Sequence, residues 1–84
     1  MINVLFFASI REELSTPQLS LEFEQRIDTV ASVKSRLISE KGALWAKVLN
    51  AENVVIAVNQ EVVTESQVLN DGDEVAFFPP VTGG

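Results

Sequence analysis

Apolar positions along the chain change period several times, and each change predicts an element. Ile2 to Ala8 is a nearly continuous apolar run rich in β-branched and aromatic residues, which predicts a central strand covered on at least one face. Alternation along it puts Ile2, Val4, Phe6 and Ala8 on one side and Asn3, Leu5 and Phe7 on the other. Ser9 to Leu14 predicts a single helical turn or a loop, stopped by Ser15-Thr16-Pro17. Leu19, Leu21 and Phe23 then alternate with Ser20, Glu22 and Glu24, the pattern of an edge strand with one wet face. Asp28 and Thr29 are N-cap residues for a helix whose apolar face carries Val30, Val33, Leu37 and Ile38, with Lys34, Arg36 and Glu40 elsewhere and Gly42 as its end. Leu44, Trp45, Val48 and Leu49 repeat the helical spacing for a second short helix. Val54 to Val58 predicts a strand, Asn59-Gln60 a turn, and Val62 to Thr64 a brief returning strand. After Val68-Leu69, the turn formers Asn70-Asp71-Gly72-Asp73 lead into a last strand, Glu74 to Phe78, with Val75 and Phe77 on one side and Ala76 and Phe78 on the other.

That order, two strands, one main helix with a short companion, then three strands, predicts an α+β domain: a mixed sheet of about five strands covered on one face by the main helix. The first and last strands carry apolar residues on both faces, so one face needs a second cover. A partner protein is one candidate, because contiguous exposed apolar patches mark binding sites. The other is a fold-over of the segments 9–18 and 63–70.

With 84 residues there is room for one domain, and an apolar fraction of 46 % is ample for a core. The chain has no Cys, no His and no Tyr. A disulfide framework, a thiolate nucleophile, a thiolate or imidazole zinc site and a Ser-His pair therefore have no material. A net charge of -6 repels a phosphate backbone, which excludes nucleic acid and favours a partner of basic character. No run approaches the ~18 to 20 apolar residues that span a bilayer. The apolar start has no basic residue before it and is followed by Arg11-Glu12-Glu13, unlike a secretory signal, so a cytoplasmic protein without a membrane partner is expected. Asp71-Gly72-Asp73-Glu74 is too short for an EF-hand calcium loop and fits a turn better; no metal site is expected. Glu12-Glu13 and Glu22/Glu24 lack the burial that would make either carboxyl a general acid, and fit a solvated face.

The remaining chemistry is at the end, Phe77-Phe78-Pro79-Pro80-Val81-Thr82-Gly83-Gly84. Pro79 and Pro80 cannot continue a central strand and hold their surroundings extended, so residues 79–84 are expected to leave the 1–78 domain as a stiff-based, flexible tail. Six extended residues reach up to about 20 Å. Gly83 and Gly84, lacking side chains, can thread a narrow channel and deliver the Gly84 carboxylate to groups in another protein. A carboxylate reacts as an acyl donor only after activation, for instance by ATP. No Gly-rich phosphate loop is present here, so the activating enzyme has to be a partner.

Val4-Leu5-Phe6-Phe7-Ala8 with Arg11-Glu12, Ala57-Val58-Asn59-Gln60, and the long stretch from Leu69 to Gly84 resemble the ubiquitin-like sulfur carriers, in particular the MoaD-type small subunits of molybdopterin synthase. Between about Leu14 and Asn53 the resemblance is one of element order and apolar pattern. It implies a β-grasp fold. It also implies that the Gly84 carboxylate is adenylated by an E1-like enzyme of the MoeB type using ATP and Mg, then thiocarboxylated by a persulfide sulfur donor. The carrier would next dock on a MoaE-type large subunit through Leu5, Phe7, Val62 and Phe78. Pro79, Pro80, Val81, Thr82 and Gly83 would lead Gly84 into that subunit's active site, where sulfur passes to the molybdopterin dithiolene. No cofactor is implied on this chain, and acid-base groups belong to the large subunit. A carrier for another pathway, such as thiamine's, or a ubiquitin-like binding module that is never thiolated, shares the glycine pair; Phe77-Phe78-Pro79-Pro80 favours the molybdopterin type.

Overall fold

The computed structural model describes residues 1–80. Its elements are β1 (Ile2–Phe6), α1 (Ala8–Leu14), β2 (Gln18–Leu21), a 3-10 turn (Gln25–Ile27), α2 (Val30–Lys41), α3 (Ala43–Leu49), β3 (Val55–Val58), β4 (Glu61–Val63) and β5 (Glu74–Phe78). The strands form one sheet in the order β2-β1-β5-β3-β4. The first and last strands, β1 and β5, run parallel at its centre, and the other neighbours are antiparallel. This is the α+β, β-grasp arrangement expected from the element order, with β2 at an edge.

Local chemistry accounts for several boundaries. The Thr29 hydroxyl accepts a hydrogen bond from the Ser32 amide at 3.1 Å, closing the start of α2 as an N-cap does. Gly42 ends that helix at φ 98°, which L side chains rarely adopt, and lets α3 set off in a new direction. Asn59 and Gln60 both have positive φ (50° and 73°), as a two-residue turn of type I′ requires between antiparallel strands.

The helical layer packs on one face of the sheet. Ile2, Val4, Phe6, Val75 and Phe77 meet Ile10 and Leu14 of α1, Val30, Val33 and Leu37 of α2, and Trp45, Val48 and Leu49 of α3 in one buried cluster. Phe6 is its hub, edge-on to Trp45 at 5.3 Å and stacked on Phe77 at 5.8 Å. An offset or T-shaped aromatic pair adds about 0.5–1.5 kcal/mol beyond the area it buries.

Some boundaries differ from the sequence reading. The first strand stops at Phe6, and Ala8, expected within it, takes φ 50° and turns the chain into a helix. That helix, α1, has seven residues rather than one turn, because Ile10 and Leu14 gain a buried seat in the core. The second strand ends at Leu21, although Phe23 still packs on the core from beyond it. β4 begins at Glu61 and ends at Val63, one residue earlier than expected. Lys34, placed off the apolar face by its charge, is buried: it is four residues after Val30, so its stem lies over the core while its ammonium pairs with Glu65 at 2.7 Å.

Candidate functional site

The sheet face opposite the helices has no covering element among the described residues. Both segments that might have folded over it lie on the helical side. Ile10 and Leu14 of the first belong to the core cluster. The second is tied to the start of α2, with the amides of Val30 and Ala31 donating to the carbonyls of Gln67 and Glu65, and Leu69 in the core. The open face is therefore available to a partner.

Strand register fixes how that face is laid out. Gln18, Leu5, Ala76, Ala57 and Val62 are consecutive cross-strand neighbours and form one row across all five strands. On the side toward the chain's exit from β5 lies an apolar row, in which Phe7 stacks face to face on Phe78 (4.5 Å, 5° between planes) and Phe78 pairs with Val55. On the other side lies a polar row, where Ser20 donates to Asn3 at 3.0 Å and the Glu74 amide to Asn59 at 3.1 Å. The apolar part of the face thus adjoins the point where the chain leaves the sheet.

Leu5 of β1, Phe7 just past its end and Phe78 of β5 are brought together, each half-buried. Val62, 76 % exposed, is on the far edge strand, three strand spacings or about 14 Å from Leu5. Between them Ala57 and Ala76 form a low floor, each 5 % exposed, so Val62 is one rim and the Leu5, Phe7 and Phe78 ridge the other. Pro79 is half-buried and Pro80 exposed just past the end of β5. Val81, Thr82, Gly83 and Gly84 lie outside the described residues.

Alternation set Ala76 on the side of Phe78, but sequence reasoning missed Val55 and Ala57 as parts of this face. Alternation in Val55 to Val58 carried a signal, since it separates Val55 and Ala57 from Ile56 and Val58, but all four are apolar and the side was open until β3 was paired with β5. Ala8 was missed too. Its positive φ turns the chain toward α1 immediately after Phe7, leaving that ring at the rim of the sheet.

The electrostatics of the described residues give no acid-base centre. The one titrating group clearly displaced is Arg36, on the outer side of α2, whose guanidinium is raised above its ordinary value by a hydrogen bond to Glu40 and by that carboxylate's charge, with Glu24 adding to both. The acidic stretch at Asp71 to Glu74 is a turn: Asp73 accepts from the Asn59 side chain at 3.0 Å and from the Asn70 amide at 2.8 Å, and Gly72 takes φ 96°. Among the described residues no three acidic side chains gather as metal ligands, and no helix is long and apolar enough to cross a membrane. What this site can do is bind a surface and present the chain that follows Phe78.

The model of the ThiS family matches residues 4–84. The chain belongs to that family. Relatives within reach of it are the molybdopterin synthase sulfur carrier subunits of Escherichia coli (strain K12), 43 % identical, and Haemophilus influenzae, 40 % identical, each aligned over the whole of both chains. In fold the chain is similar to the protein-protein complex of subunits 1 and 2 of molybdopterin-converting factor from Helicobacter pylori 26695, with a TM-score of 0.65 over 99 % of this chain and 97 % of that one, at 23 % identity. The family match includes the middle of the chain, where residue motifs carried little, and runs through the four residues after Pro80.

Proposed function

We propose that this protein is the sulfur carrier subunit of a molybdopterin synthase, and that it works by docking its open sheet face on a catalytic large subunit while its C-terminus carries the sulfur. The observation that supports this most is the full-length likeness, at 40 and 43 %, to two relatives bearing that name. The geometry agrees with it: an apolar ridge of Leu5, Phe7 and Phe78 adjoins the root of the chain that would be delivered.

In this reading the Gly84 carboxylate attacks the α-phosphorus of ATP, held with Mg on an E1-like adenylating enzyme, and pyrophosphate leaves. The terminal sulfur of a persulfide donor then displaces AMP at the acyl carbon, and a thiol cleaves the resulting acyl disulfide, leaving a thiocarboxylate on the carrier and a disulfide between the donor and that thiol. On the large subunit that sulfur passes to the pterin precursor, and water restores the carboxylate. The carrier supplies binding, reach and the acyl group; the large subunit supplies the acid-base groups. Its place of work would be the cytoplasm.

Intact mass spectrometry tests the central step. After incubation with an adenylating enzyme, ATP, Mg and a persulfide donor, one terminal oxygen is expected to be replaced by sulfur. Transfer from the isolated product to a large subunit with the pterin precursor should follow. A chain that is adenylated but never thiolated would be a modifier or binding module instead, and one that thiolates but donates only in another pathway, such as thiamine's, would be that pathway's carrier.

A further inference from the structure

The direction in which the chain leaves β5 is not settled by the prolines alone. Each proline fixes its own φ and confines the residue before it to the extended region, but that region is about 40° wide in ψ, so the pair makes a stiff rod whose angle to the sheet is set only loosely. The structure places something beside that rod. Pro79 and Pro80 form one wall of a groove of about 190 Å³ whose apolar lining comes from Ile10 of α1, Val48 of α3, and Ala51 and Val54 between α3 and β3, with Ser9, Glu13 and Lys47 supplying its polar lining. Pro79, which lines the groove, is half-buried although the sheet has ended. The groove is on the helical side, since Ile10 and Val48 belong to the core cluster and Val54 packs on it, so it is separate from the open docking face.

We propose that this groove is a seat for Pro79-Pro80, and that Ile10, Val48 and Val54 are positioning residues that aim the chain's end once the open face has docked. The inference rests on the carrier reading. Docking fixes the domain against its partner, but only three residues separate Pro80 from Gly84, so a small change of angle at the root moves the reacting group off its target. Misplacement of about 1 Å can cost on the order of a hundredfold in rate. A seat on the far side of the sheet from the docking ridge acts on the transfer rate and leaves docking untouched.

Two variants test it. Ala51→Leu fills the groove from its exposed side, and Val54→Ala removes part of its floor. With thiocarboxylated protein and a molybdopterin synthase large subunit, both should lower kcat for sulfur transfer about tenfold or more, with KM for the carrier within twofold of wild type. A change in KM at unchanged kcat would make the groove a docking surface and overturn the seat, as would no change in either. NMR gives a readout that does not need the sulfur chemistry: cross-relaxation between the Pro79 ring and the groove side chains is expected in the wild type and should be lost in Ala51→Leu. Its absence in the wild type overturns the seat. Its presence in a protein that transfers no sulfur counts against the carrier reading alone.

Discussion

Phe7 and Phe6 are adjacent, both aromatic and both stacked on a phenylalanine of β5, yet they lie on opposite faces of the sheet. Phe6 is 1 % exposed and touches Trp45 as well as Phe77; its truncation opens a cavity in the core and should cost about 3–5 kcal/mol of stability. Phe7 is half-buried on the open face, outside the core cluster, with Phe78 as its aromatic partner. Losing that stack costs about 0.5–1.5 kcal/mol. Half the burial of a phenylalanine adds about 1 kcal/mol. Phe7→Ala should therefore destabilise the isolated chain by about 1.5–2.5 kcal/mol. If Phe7 anchors the interface with the large subunit, the same change should cost about 2–4 kcal/mol of binding, a rise in Kd of about 30- to 1000-fold. Urea unfolding of the free chain and titration calorimetry with the large subunit, at a temperature where the variant is fully folded, measure the two losses. A stability loss of about 3 kcal/mol or more with unchanged Kd would refute the assignment and put Phe7 in the core with Phe6.

Deleting Gly84 should abolish thiocarboxylation and sulfur transfer, seen by mass spectrometry, while the urea midpoint stays within error of wild type; a substantial drop in unfolding free energy would give that residue a structural role. Gln60→Gly should stabilise the chain by about 0.5–1 kcal/mol, because a non-glycine residue in the left-handed region costs about 1–2 kcal/mol and glycine's looser unfolded state takes part of the gain back. Gln60 is exposed and sits at φ 73° in the turn between β3 and β4, so a lower urea midpoint would show that its side chain makes a contact worth more than the strain.

The sequence carried the strands well because alternation is a local property. Ile2, Val4 and Phe6 were separated from Leu5 and Phe7 by period alone, and the structure places them on opposite faces. The same logic failed wherever tertiary contact decided the outcome. α1 has just two buried positions and no side-chain cap at Phe7, so nothing local announces seven helical residues; its stability comes from α3 and the sheet. Lys34 was sorted by charge, although its spacing from Val30 and Leu37 places it on the buried stripe. At the site, Leu5, Phe7 and Phe78 were recognisable as apolar residues without cover, but their union with Val62 through Ala57 and Ala76 depends on strand order, which is a non-local pairing. The groove beside Pro79 is further out of reach, since four segments of the chain build it.

Under the proposed function, strand order would let docking and delivery be one event. The two ends of the domain's chain lie side by side at the centre of the sheet, joined as parallel neighbours, with the Phe7 amide donating to the Phe77 carbonyl at 3.2 Å. Immediately beyond that bond the paths part: Ala8 turns into α1 on the helical side, and Pro79 leaves the sheet. The Phe7 and Phe78 rings stack where they diverge. A partner that closes over the two rings therefore grips the last ladder positions of β1 and β5 together, and those positions hold the root of the outgoing chain. An edge strand would give a weaker link, because it is hydrogen-bonded on one side only and can fray or twist independently. A chain leaving from a central strand inherits the rigidity of neighbours on both sides, so binding energy gained at the ridge is expressed as a fixed origin for the residues after Pro80.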